Sequence, residues 1–255
     1  NNETGIIQPI QEISKIIKDH DCYFHVDAAQ YFGKDNETLK DKRIDLISIS
    51  GHKIFAPKGI GALITRLRNF NKPPLKPLFF GGGQEAKLRP GTLPVHLIVG
   101  LGMAAKIAKK DLKKRQTKNR KIYDQVIKLM NNLGGKLNGD EKYLLGNCVN
   151  FSIPTVDAEA FMLTTKDLIS ISNGSACTSS TYEPSHVIKA MNNNENILKG
   201  AVRISWCHLT DDKIPIEEIE ERLKNIIWLY NIKKNYIKLF KSKFIIGTVG
   251  DKSII

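Results

Sequence analysis

Three short stretches carry residue types suited to covalent chemistry. In Ser50-Gly51-His52-Lys53-Ile54 a lysine follows an apolar run, with a hydroxyl and an imidazole beside it. In His25-Val26-Asp27-Ala28-Ala29-Gln30 an aspartate closes an earlier apolar run. In Asn173-Gly174-Ser175-Ala176-Cys177-Thr178-Ser179-Ser180 a cysteine stands among small residues. A lysine amine condenses with an aldehyde, and a carboxylate in the same crevice keeps a pyridinium nitrogen protonated. That pair is what pyridoxal phosphate requires, because the protonated ring then accepts electrons from a carbanion. Ser50 and His52 are suited to hydrogen-bond a phosphate beside the lysine. The small residues around Cys177 predict an exposed loop, where a thiol acts as a nucleophile instead of packing.

These residues need elements to hold them. Apolar positions Ile10, Ile13, Ile16 and Ile17 predict an amphipathic helix over 6–18. Strands are predicted from Cys22 to Val26, ending at Asp27, over Ile44 to Ser50, and over Gly59 to Thr65. Helix followed by short apolar strands is an α/β pattern, and ligands of such sheets gather at the strands' carboxyl ends. Asp27 and the 50–53 segment fall there. After a Gly81-Gly82-Gly83 loop, one long helix is predicted from Val95 to about Leu133, marking a domain boundary. Beyond it, strands are expected over 149–153, 168–172 and 201–206, and helices over 158–166, 185–191 and 215–239, an α+β unit with its own core.

Composition narrows the class. The 255 residues are 41% hydrophobic, enough for one large domain or two. No signal segment and no bilayer-length apolar run is present, so a soluble cytoplasmic protein without its N-terminal part is expected. Cys22, Cys148, Cys177 and Cys207 are scattered singly, which indicates neither a zinc ribbon nor a disulfide framework. The net charge of +13 raises nucleic-acid binding. Much of the excess lies in Lys106, Lys109, Lys110, Lys113, Lys114, Arg115, Lys118, Arg120 and Lys121, which go round a helix without interleaved aromatics. A solvated helix accounts for that pattern, and direct nucleic-acid binding is not expected.

The motifs around Asp27, Lys53 and Cys177, with Gly91-Thr92-Leu93-Pro94-Val95-His96 between them, together resemble the cysteine desulfurase family. The resemblance is closest to its first group, the iron–sulfur-cluster and nitrogenase-maturation type, and runs in order from Asn1 to about Asn235. It implies a pyridoxal-phosphate fold-type I enzyme, like the class-V aminotransferases. Residues 1–112 would be the C-terminal portion of a large cofactor domain, 113–239 a small α+β domain with the cysteine loop, and 240–255 a tail. Lys53 would form the Schiff base, Asp27 pair with the ring nitrogen, Gln30 with the ring hydroxyl, and Ser50 and His52 with the phosphate. Thr92 would reach the phosphate of a second subunit, which implies a homodimer. Asn2 would lie beside the cofactor and the substrate carboxylate, and Arg203 would bind that carboxylate, a role for which a guanidinium fork is suited. The Ser205-Trp206-Cys207-His208-Leu209-Thr210 run resembles members linked to DNA phosphorothioation.

The implied reaction converts L-cysteine to L-alanine. Lys53 removes the α-proton and the Cys177 thiolate takes the sulfur as a persulfide. The partner is then a sulfur acceptor such as an iron–sulfur scaffold protein. Two other readings remain at this point. One is another enzyme of the same fold, such as an aminotransferase or a selenocysteine lyase. The other is an inactive sulfur-relay or scaffold partner. The family carries an upstream threonine and histidine that a chain beginning at Asn1 does not include, so activity is expected of a longer parent or of a partner supplying that half.

Overall fold

The computed structural model describes residues 1–68, 70–173, 185–192 and 194–243. They pack as two compact units. The first takes Asn1–Tyr123, Gly139–Cys148 and Trp206–Asp212; the second takes Asp124–Asn138, Val149–Ser205 and the described chain from Lys213 on. Where the sequence reading placed one cut near residue 112, the chain returns twice to the first unit. Hydrogen bonds from Leu145 N to Gly5 O (3.0 Å) and from Trp206 N to Asn147 O (3.1 Å) hold these returning segments.

In the first unit α1 (Ile10–Ile16) leads into β1 (His25–Asp27), β2 (Leu46–Ser50) and β3 (Gly61–Thr65). β1 pairs parallel to β2 with Asp27 opposite Ser48, and β2 pairs antiparallel to β3 with Ser50 opposite Gly61. Parallel strands end on the same edge of a sheet, so the polar residues that close both apolar runs emerge together. Val26, Ala28, Leu39, Ile44 and Ile47 form the core behind them, with Ile10 and Phe24 packed against it. The helix begins at Ile10, later than expected, because Pro9 occupies its N-cap and Ile6 pairs as an isolated bridge with Leu144.

The single helix expected from Val95 is two: α2 (Val95–Lys110) and α3 (Leu112–Asn132). Asp111 leaves helical geometry at φ −95°, ψ 7°, and closes α2 with its N–H on Ile107 O. The exposed basic side chains on both sides give no packing that would hold the helix continuous. Ala104 of α2 packs with Ile54 and Ala56, flanked by Leu101 and Ala105. Burying Ile54 stabilises by roughly 2 kcal/mol, and it fixes the segment that carries Lys53.

A buried ion cluster closes the opposite end of the strands. Asp45, 4% exposed, accepts from Phe24 N at 2.7 Å, Arg43 Nη1 at 2.9 Å and Arg68 Nε at 3.0 Å. Burial alone would raise its carboxyl. The Arg68 and Phe24 hydrogen bonds and the two guanidinium charges outweigh that and hold it below the usual carboxylate range. Asp45→Ala should therefore destabilise the fold by about 2 kcal/mol, less than a fully buried orphan would cost because Arg68 reaches water. A depressed carboxyl contributes stability above its unfolded value of about 3.9 and loses it as pH falls through the folded one. Urea unfolding of the variant and parent should converge as pH drops from about 7 toward 3. An undiminished difference at low pH would assign the effect to packing.

The second unit holds the later part of α3, then β4 (Lys136–Leu137), β5 (Cys148–Ser152), α4 (Ala158–Thr165), α5 (His186–Met191), α6 (Glu195–Lys199), β6 (Ala201–Ser205) and α7 (Ile216–Lys243). Its sheet runs β4-β5-β6. Every residue of β5 is buried, and Phe151 meets Phe161 of α4 at 6.3 Å between ring centroids. Asp157, Ser185 and Asn194 cap α4, α5 and α6 by accepting N–H bonds of the first turn. The strand expected over 168–172 is absent. Leu168 N and Ile169 N both turn back to Thr165 O, and only Ser172 pairs, as a bridge to Arg203. Among the described residues no helix is long and apolar enough to cross a membrane.

Candidate active site

β1 and β2 set the site. Asp27 ends β1, exposed, with one carboxylate oxygen accepting from Ala29 N at 2.9 Å. That bond turns the carboxylate along the strand end and leaves the second oxygen for another donor. β2 ends at Ser50 and passes into a tight 3-10 turn over Gly51–Ile54. Gly51 is required there, since a Cβ would come within 2.8 Å of Ile60 O. Ser50 Oγ and His52 Nδ1 lie 3.0 Å apart, hydrogen-bonded on an exposed rim. Lys53 is half-buried between them and Ile54. Phe55 then adopts a left-handed conformation, φ 70°, strained for a bulky residue by about 1–3 kcal/mol.

A carboxylate on one strand end, with a hydroxyl, an imidazole and an amine on the next, suits a ring bearing a cationic nitrogen, a phosphate and an aldehyde. The donor set therefore fits pyridoxal phosphate. Gln30 follows in the turn after β1, and its Oε1 accepts from Lys34 Nζ at 2.9 Å, so its amide N–H groups remain to donate. Asn2 and Thr92 are exposed in the first unit; Arg89 Nη1 donates to Thr92 O at 3.4 Å. Arg203 lies on β6 of the second unit, half-buried, exchanging backbone bonds with Ser172. Cys177 lies outside the described residues.

Lys53 also lines a cavity of about 200 Å³ in the first unit. Sequence reading missed most of its wall: Lys34, Arg115 and His208. Arg115 lies over the Phe55 ring at 5.7 Å, and the Phe55 and His208 rings meet edge-on at 4.7 Å. Burial first, then the Lys53 charge, pulls Lys34 down to about 8. Burial and the Arg115 charge lower His208 as well. Only the Lys34 spacing, four residues past Gln30, offered a local signal. Cys207 lines the same cavity, and its Sγ accepts from Leu209 N at 3.4 Å. Cys148 is buried at the start of β5, as a small core residue would be. Cys22 is half-buried ahead of β1 and receives an Arg43 hydrogen bond.

The chain is similar to curated proteins that carry the name cysteine desulfurase and to solved structures of related proteins. A mitosomal cysteine desulfurase of Trachipleistophora hominis is 38% identical over 251 residues, 94% of this chain and 56% of that protein. Cysteine desulfurase IscS of Rickettsia massiliae is 43% identical over 220 residues, 84% of this chain and 52% of that protein. The crystal structure of DndA from Streptomyces lividans matches with TM-score 0.70 and 42% identity, over 81% of this chain and 58% of that one. A NifS-like protein from Rickettsia africae matches with TM-score 0.71 and 30% identity, over 89% and 59%. The chain thus spans about half the length of the curated relatives it matches. The aminotransferase class-V family model matches residues 1–217. On that match and on the lysine–aspartate edge it contains, this chain belongs to the class-V aminotransferase family.

Proposed function

We propose that the protein carrying this chain is a pyridoxal-phosphate-dependent cysteine desulfurase. The observation that carries the reading is the parallel pairing of β1 with β2, which sets Asp27 and the Ser50–Lys53 turn on one sheet edge. The motif around Cys177 favours desulfuration over the aminotransferase and selenocysteine lyase readings, because a loop thiol can accept the sulfur.

Bound here, pyridoxal phosphate supplies an electron sink for charge developing at the substrate α-carbon. Asp27 keeps the ring nitrogen cationic, Ser50 and His52 hold the phosphate, and Gln30, with its carbonyl tied to Lys34, donates to the ring hydroxyl. The Lys53 amine takes the α-proton of L-cysteine. Asn2 and Arg203 hold the substrate carboxylate. The Cys177 thiolate then attacks the substrate sulfur: the Cβ–S bond breaks, an S–S bond forms, and the three-carbon remainder leaves as alanine after gaining protons.

Thr92 serves a phosphate in a second copy, which makes the working form a homodimer. Exposed Phe79, Phe80, Val95 and Val99 around that loop support such an interface. The sulfur acceptor is a protein such as an iron–sulfur scaffold, or a system that thio-modifies nucleic acid. Cys22 and Cys207, neither in a disulfide, agree with a reducing, cytoplasmic setting.

The substrate assignment is checked at Arg203. Loss of a charge-assisted carboxylate contact is worth about 1.5–3 kcal/mol, or roughly 10- to 100-fold in KM. Full-length Arg203→Ala should retain normal cofactor absorption and show that rise in KM for L-cysteine. Unchanged KM would return Arg203 to a structural role on β6.

A further inference from the structure

We infer that the cavity formed by Lys34, Arg115 and His208 is a binding site for a small oxyanion next to the proposed cofactor site, with which it shares His52 and Lys53. Its lining carries Lys34, His52, Lys53, Arg115 and His208 and, among the described residues, contains no aspartate or glutamate. Asp212, which precedes no lining residue, pairs with Lys118 at 3.1 Å, and Asp111 attracts His208 only from outside the lining. The cluster is therefore a concentration of positive charge with no internal counter-charge.

Two polar atoms on the same wall lack partners. Arg115 Nε and Asn119 Oδ1 are both buried and make no hydrogen bond among the described residues. A buried orphan of this kind costs about 1–3 kcal/mol, more for a charged group, and structures seldom carry two side by side without a ligand. The unmet donor on Arg115 suits an anionic oxygen. The unmet acceptor on Asn119 suits an O–H, and hydrogenphosphate offers both groups at once. Burial and the Lys53 charge hold Lys34 at about 8, a mutual repulsion that an anion would relieve.

The donors are also held in place. Arg115 lies on the Phe55 ring, which meets His208 edge-on, while Lys34 is tied by Gln30 and its carbonyl accepts from Gln116 Nε2 at 3.0 Å. A volume of about 200 Å³ is that of roughly six or seven waters, room for a phosphate-type or carboxylate-type ion with its nearest water. Ser50 is absent from the lining, so the cavity shares His52 but not Ser50 with the pair that would hold the cofactor phosphate.

The test is isothermal titration of inorganic phosphate, and in a second arm acetate, into the full-length protein with and without cofactor. Expected is one ion per chain in the loaded protein, with affinity at least about tenfold weaker in Arg115→Gln and in His208→Gln and unchanged in Ser50→Ala. Tighter phosphate marks a phosphate-type ligand and tighter acetate a carboxylate. Circular dichroism of both cavity variants guards against simple unfolding, and either folded variant suffices. No binding to the loaded protein would overturn the site. So would phosphate binding confined to cofactor-free protein, lost in Ser50→Ala and intact in Arg115→Gln, since that is the cofactor's own phosphate position. Phosphate held through Arg115 in a protein that never takes up pyridoxal phosphate would instead sink the proposed reaction and keep the anion site.

Discussion

Lys53→Ala in the full-length protein should fold normally and lose the visible absorption of a lysine-bound cofactor. The side chain is only half-buried, and the turn that carries it is held by its neighbours Gly51 and Ile54. Truncation at Cβ therefore removes the amine and leaves the anchoring contacts of Ile54 with Ala56 and Ala104 in place. Two functions go at once, the covalent hold on the cofactor and the base for the α-proton. Loss of a general base alone costs about 10²- to 10⁴-fold, and loss of the covalent hold adds to it. Alanine production should fall by at least that factor, with the melting temperature unchanged. Borohydride reduction should fix cofactor to the parent and leave the variant unlabelled. Label that persists in Lys53→Ala would assign the amine to another lysine, and Lys34, in the same cavity, would be the first to examine.

How far the sequence disclosed this arrangement depends on where each contact comes from. Asp27 and Ser50–Lys53 were legible because each closes an apolar run, and strand ends are where polar residues collect. The Asp111 break was not legible: the apolar period runs through it, and only local backbone geometry parts α2 from α3. The Leu168–Ser172 run reads as a strand by composition, yet Thr165 O captures two N–H groups and keeps the chain turning. β5 and β6 were legible because Val149, Phe151 and Ile153 alternate with the buried Asn150 and Ser152 in and just after the first and Ala201, Val202 and Ile204 mark the second, whereas the two-residue β4 offered no such pattern.

The basic stretch illustrates the same limit from the side of charge. As a sequence it is a run of cations round a helix, and most of it is exposed. Arg115 differs from its neighbours only because Phe55 and His208, distant in sequence, meet on its side of the helix. Lys118 likewise finds Asp212. No periodicity distinguishes these two from Lys113 or Lys114, so a wall built from tertiary contacts stays invisible until the chain is folded. The same holds for Lys34, whose i+4 spacing from Gln30 is meaningful only once the turn after β1 is known to be helical in form.

Cys177→Ser should separate the two halves of the proposed reaction. Cofactor attachment and α-proton removal need Lys53, Asp27 and the ring, none of which the substitution touches. Cleavage of the carbon–sulfur bond needs a soft nucleophile at the substrate sulfur. A serine hydroxyl, ionising far above a thiol and holding its electrons tightly, cannot replace a thiolate there. The variant should bind cofactor, change its absorption when L-cysteine is added, and yet release alanine about 10³-fold more slowly or worse. Sulfur-labelled cysteine should mark the Cys177 peptide of the parent. Cys148 is buried and Cys22 half-buried behind Arg43, so neither is presented to a substrate. Cys207 is the rival worth watching, because its sulfur lines the cavity that Lys53 also lines. Its loop, however, ties that sulfur to Leu209 N, and the thiol that delivers to an acceptor protein must leave the cavity. Label on Cys207, or full alanine production by Cys177→Ser, would move the sulfur-accepting step from the loop into the cavity and overturn the assignment of Cys177.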